Sequence, residues 1–172
     1  MTRLMNNQKG FTLIELIVAL AIASVIGVAA TMTAHQLITI PVISNDSNTA
    51  INQVRNAVNW INRDALEAQT VNATPGDPKF LELTRTDFDD DELHTITYSL
   101  ESMPGGLEKL KRSETDNSGT TETIIAQYIQ PKAVDITYCS WQESDKVLTV
   151  TITAQVGTRT EARTFQVKPR PD

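Results

Sequence analysis

The chain has 172 residues, 15 basic and 21 acidic, for a net charge of −6 and a pI near 4.9. That balance argues against a phosphate-binding surface, which needs a basic patch, and aromatics at 5% are too few for a base-stacking platform, so nucleic acid is an unlikely partner. Cys139 is the one cysteine, so no intrachain disulfide forms and the fold rests on its core and on neighbouring subunits.

The N-terminus holds Arg3 and Lys9 and no acid, and within residues 11–34 only Glu15 carries a formal charge. A helix of that length spans about 36 Å, more than the ~30 Å of a hydrocarbon core. No Lys or Arg occurs within residues 10–54. The positive-inside rule therefore places the N-terminus in the cytoplasm and the C-terminal part across the membrane. Glu15 is the anomaly, because a carboxylate in an apolar span is costly and points to a function. A secretory signal peptide is one reading, with small-x-small sites at Ala19-Leu20-Ala21 and Ala21-Ile22-Ala23, but the apolar run continues past both. A plain single-pass anchor is another, and it gives Glu15 no role.

A third reading rests on resemblance. Lys9 followed by Gly10-Phe11-Thr12-Leu13-Ile14-Glu15-Leu16 resembles the leader-cleavage motif of the type IV pilin family, which includes the pseudopilins of type II secretion. The resemblance implies a leader of residues 1–10, cut between Gly10 and Phe11 by a prepilin peptidase that also methylates Phe11. It implies as partners other pilin or pseudopilin subunits, packed through the helix, and an inner-membrane assembly platform. Cleavage creates an α-amine with an ordinary pKa near 8, hence a positive charge, one helical turn from Glu15. In a bundle of such helices Glu15 of one subunit can pair with the Phe11 amine of its neighbour, which offsets part of the burial cost and fixes axial register. Ala19, Ala23, Gly27 and Thr31 add a stripe of small side chains that suits close helix packing. Ordinary Ala and Gly usage in a span explains the stripe equally well.

Further on, Pro41 predicts a bend or pause near Ile40, and Ser44-Asn45-Asp46-Ser47 offers caps for a restart. His35, near the outer end of the span, reads as an interfacial residue. Ile51, Val54, Val58, Ile61, Ala65 and Ala68 then form one apolar stripe of an amphipathic helix, with Trp60 and Leu66 widening it. This helix is expected to end near Val71, before Thr74-Pro75-Gly76-Asp77-Pro78.

Beyond that breaker the period becomes two. Strands are predicted over 80–84, 93–100, 105–112, 121–129, 134–141, 146–156 and 159–167, with Ile96, Tyr98 and Leu100 on one face and polar residues 113–123 as a hairpin loop. Residues 168–172 read as a frayed tail. Strands so closely spaced, with no helix between them, imply an antiparallel sheet. The expected fold is α+β: a long hydrophobic N-terminal helix, kinked near Pro41, packed on a C-terminal antiparallel sheet, as in pilins. The division is leader 1–10, transmembrane assembly half 11–43, amphipathic half 44–73 and β-rich globular domain 74–172.

Chemistry outside the motif is sparse. Asp87, Asp89 and Asp91 mimic the first ligands of a calcium loop, yet Glu92 replaces the required Gly and Tyr98 the closing Glu, so an irregular calcium site competes with a solvated acidic loop. No other metal or cofactor pattern appears. A nucleophilic triad needs Cys139 or a serine with a histidine and a carboxylate, and His94 is the only histidine beyond the first helix, so catalysis finds little support and the chain is not expected to be an enzyme. The sequence thus predicts a structural, prepilin-like subunit of a type IV pilus or type II secretion pseudopilus, carried by the cytoplasmic membrane and then by an extracytoplasmic filament. A minor subunit is favoured because the C-terminal cysteine pair of many major pilins is absent. The alternative is a membrane-tethered extracytoplasmic module that binds an exported protein or DNA without entering a filament.

Overall fold

A computed structural model describes residues 10–87, 92–133 and 135–169. Its elements are helix α1 (Leu13–Glu67) and strands β1 (Thr70–Asn72), β2 (Lys79–Thr86), β3 (Leu93–Ser102), β4 (Glu108–Asp116), β5 (Gly119–Ile129), β6 (Tyr138–Gln142), β7 (Val147–Val156) and β8 (Arg159–Val167). The chain divides within α1 into two compact units, one ending at Val42 and the other beginning at Ile43.

In the first unit the stretch Leu13–Leu37 has a mean hydropathy of 2.6, is wholly exposed, and is long and apolar enough to cross a membrane. Helical structure then runs through Pro41 without a pause. The missing hydrogen bond costs about 3 kcal/mol in a helix interior, and the amphipathic stripe that follows is firmly packed, so the Ser44–Ser47 cluster lies inside α1 and starts no new helix.

In the second unit all strand pairs are antiparallel. Strands β1 to β5 meander, and β5 meets β7 at the single pair Ile129–Ala154. Tyr128, immediately before that pair, is left-handed with φ of 60°. Strand β8 runs along one edge of β7 over its whole length, while β6 shares the other edge with the end of β5. The core forms where one face of α1 meets the sheet. Val54, Ala57, Ile61, Ala65 and Ala68 cluster with Phe80, Leu83, Ile96, Tyr98, Leu110, Leu148 and Ile152. Each large apolar side chain buried there contributes about 1.5–3 kcal/mol.

Several boundaries differ from expectation. The buried face of α1 is rotated slightly: Ala50 and Ala57 are fully buried, Ile51, Val58 and Trp60 half-buried, and Leu66 lies 51% exposed. The helix ends at Glu67, not near Val71, because the Gln69 amide donates to the Thr84 carbonyl and β-branched Thr70 and Val71 join β2 as a short edge strand. Residues 113–123 are not a loop. Strands β4 and β5 continue to Asp116 and from Gly119, closed by Asn117-Ser118, with the Asp116 carboxylate accepting from the Ser118 and Gly119 amides at 2.8 and 3.0 Å. This hairpin end carries no core face; it is held by cross-strand polar pairs such as Lys111–Glu122 and Thr115–Thr120. Its alternation is therefore invisible in hydrophobicity. Strand β6 starts at Tyr138 rather than at 134. Residues 170–172 of the tail lie outside the described residues, and Lys168 and Pro169 follow β8 without regular structure.

One feature of the core breaks the apolar pattern. Asp64, on the buried face of α1, accepts from Tyr98 Oη on β3 and from Arg112 Nε on β4, both at 2.5 Å. Arg112 Nη1 also donates to Glu114 at 2.9 Å, and Arg85 joins Glu114 to Glu67. The Trp60 ring lies under both Arg63, at 4.1 Å, and Arg112, at 5.2 Å. Burial and the Asp64 carboxylate push the Tyr98 phenol well above its ordinary range. Burial works against the charged Arg112, yet its bonds to Asp64 and Glu114 outweigh that and keep it protonated. The seam ties α1 to three strands.

Candidate functional site

The residues that carry the sequence motif lie at the start of α1. Gly10, Phe11 and Thr12 are not helical and are exposed, Phe11 at 90%. Helix begins at Leu13, and the Leu16 amide makes its first bond to the Thr12 carbonyl at 3.2 Å. The Thr12 amide donates to Glu15 Oε2 at 2.9 Å, and the Glu15 amide donates back to Thr12 Oγ1 at 3.3 Å. This is a reciprocal capping box, with Thr12 as the N-cap and Glu15 three residues on. The Thr12 hydroxyl adds a third bond, to Glu15 Oε2 at 2.8 Å. All three contacts use Oε2 or the backbone, and none uses Oε1.

Sequence reasoning singled out Gly10, Phe11 and Glu15 but not Thr12. The signal was present, since Thr12-Leu13-Ile14-Glu15 reads as a capping box before an apolar run. Gly10 answers no local need. A Cβ there meets nothing within 4 Å, and its backbone is not left-handed. The small-residue stripe is exposed throughout, with Thr31 Oγ1 bonded back to the Gly27 carbonyl at 2.8 Å.

The other candidates do not converge. Of the acidic run, Asp89 and Asp91 fall outside the described residues, and Asp87 donates its amide to the Glu92 carbonyl at 2.9 Å. Among the described residues no three metal-ligating side chains cluster. Cys139 on β6 lies against the Ala73 and Phe80 carbonyls, and burial pushes its thiol up to about 12, the state of an inert packing thiol. His94 lies 3.3 Å from Glu114 at the edge of the ionic seam, far in sequence and in role from Cys139. An open groove of about 1110 Å³ runs between Leu66 and Val71 on one side and Trp141 and the β6–β7 turn on the other.

Compared with known proteins, residues 5–31 match the prokaryotic N-terminal methylation motif. The N-terminal segment is that of a type IV pilin-like protein. The match covers the Gly10–Phe11 bond, the capping box and most of the apolar stretch, and none of the sheet. The motif belongs to structural subunits rather than to an enzyme family. No curated protein and no solved structure matches the chain. Its globular unit is therefore described by its own residues alone.

Proposed function

We propose that this pilin-like chain is a minor subunit of a type IV pilus or type II secretion pseudopilus. It is inserted with the N-terminus in the cytoplasm, cut after Gly10 by prepilin peptidase and methylated on Phe11. Residues 11–43 serve as the assembly segment and residues 44–172 as the part displayed outside. The observation that carries this reading is the Gly10–Phe11 peptide itself. It is exposed, outside the helix, and occupied by a glycine that the subunit's own fold does not require. A demand from outside the chain, that of the processing enzyme, accounts for it. The wholly exposed apolar surface of Leu13–Leu37 supports assembly by helix packing in and beyond the membrane.

Mass spectrometry of the membrane-extracted protein tests the reading. The expected N-terminus is N-methylated Phe11. An intact Met1, or a cut at any other bond, overturns it in favour of a tethered binding module. The minor role predicts low abundance relative to a major subunit in sheared filaments. Glu15→Val is expected to be cut normally yet fail to enter filaments.

A further inference from the structure

We infer that the groove between β1 and β6 takes an extended peptide segment of a partner protein, which adds to two open strand edges as a further β-strand. These strands end the strand order: β1 pairs only with β2, and β6 only with β7. Among the described residues no other backbone-to-backbone hydrogen bond reaches residues 70–72 or 138–142. The two edges converge at one end and part at the other. Cys139 Sγ of β6 lies 3.1 Å from the Ala73 carbonyl, just past β1, and 2.9 Å from the Phe80 carbonyl of β2. Away from that contact the strands line opposite walls of the groove of about 1110 Å³, Thr70 and Val71 on one side and Trp141 on the other. Strand β1 thus runs from the groove toward Ala73, and β6 from Cys139 toward the groove, so the edges are antiparallel. An extended chain between them meets unpaired backbone groups on both sides, and strand addition to such edges is a recurring mode of peptide capture.

Size and charge select the occupant. Eleven described residues line the groove, whereas a stable contact between two folded domains takes about 20–30 residues a side. A second copy seated by a globular face is too large a partner for it, and a single segment is of the right scale. The five residues of β6 limit the paired length to about 17 Å. The rim carries Glu143 and Asp145 against Lys146 and Lys168, two charges of each sign, and Glu143 is held by Lys146 and by the Trp141 indole. No surplus charge calls for a strongly acidic or basic ligand. The apolar lining comes from Leu66, 51% exposed on the last turn of α1, and from Val71 and Trp141, both partly buried. Side chains of a strand alternate between its two faces. An uncharged segment with an apolar residue at every second position therefore presents one row to Leu66, Val71 and Trp141 and the other to water.

The probes are acetylated and amidated hexapeptides in which Thr alternates with Val, Ile, Leu or Phe. They are added to the full-length protein in lipid nanodiscs, which keep detergent out of the groove. Binding is read by backbone hydrogen exchange and by Trp141 fluorescence in a Trp60→Phe protein. At least one apolar series is expected to bind saturably and to slow exchange within residues 70–72 and 138–142 by about 10-fold or more. The same peptides N-methylated at alternate backbone amides keep their side chains but lose strand pairing, and should bind about 10-fold more weakly or worse. Leu66→Glu, at a half-exposed site, should abolish binding and leave the melting temperature unchanged. Failure of every hexapeptide to bind saturably overturns the inference. Equal binding of the N-methylated peptides does so too, since it marks an apolar site without strand addition. So does protection of the same amides that rises with protein concentration in the absence of peptide, which gives the groove to a second copy. None of these outcomes depends on cleavage before Phe11, so this inference and the proposed function fail separately.

Discussion

Replacing Asp64 by Ala tests how the globular unit is held together. Asp64 has a 3% exposed side chain and Arg112 a 9% exposed one, so water reaches neither freely. The substitution strands Tyr98 Oη and Arg112 Nε, both bonded to Asp64 Oδ2 at 2.5 Å. Removing one partner of a buried pair costs about 3–5 kcal/mol. Arg112 keeps Glu114 at 2.9 Å, which places the effect at the lower end, about 3 kcal/mol. For a unit of this size that is a fall in Tm of roughly 10 °C. The assay is thermal and urea unfolding of the full chain in detergent, followed by circular dichroism. The double variant Asp64→Leu with Arg112→Met removes both charges and leaves apolar volume, so it should recover most of the loss. An Asp64→Ala protein within about 1 kcal/mol of wild type, or a double variant no better than the single one, would refute the reasoning.

Three further outcomes are expected. Burial alone would raise the Glu114 carboxyl, but its bonds to Arg112 and Arg85 outweigh this and hold it below the ordinary range. Its stabilising contribution is therefore complete above the unfolded value of about 4.3 and is lost as pH falls through the lower folded value. The stability gap between wild type and Glu114→Gln should close below about pH 4, measured by urea titration at each pH. Cys139, raised to about 12 by burial, should react with iodoacetamide at pH 8 about 1000-fold more slowly in the native chain than in the unfolded one; rapid native labelling would show that β6 does not seal it. Gly157 has a φ of 55°, and an added Cβ would lie 2.5 Å from Asp46 Oδ2. Gly157→Ala should cost about 1–3 kcal/mol, and the added change Asp46→Ala should recover only the steric part, leaving the left-handed backbone penalty in the melting curve.

The parts of this protein that the sequence determined are those whose physics is local. A charge-free stretch of residues long enough to span a bilayer needs no tertiary partner to declare itself, and the Gly10–Phe11 bond and Glu15 fall within a linear motif. The capping box of Thr12 and Glu15 was equally local. Strong alternation with a core on one face, as in residues 93–100 and 147–156, gave strands in the right places. The tertiary structure alone decided the rest. Whether Asp64 is a solvated helix residue or the centre of a buried ionic seam depends on Tyr98 and Arg112 arriving from strands far along the chain. Whether residues 113–123 form a loop or a paired hairpin depends on backbone bonds between polar strands, which hydrophobic periodicity does not record. The end of α1 at Glu67 was set by an open edge on β2 that Thr70 and Val71 could fill. In each case the deciding free energy comes from a contact between segments that the sequence lists far apart.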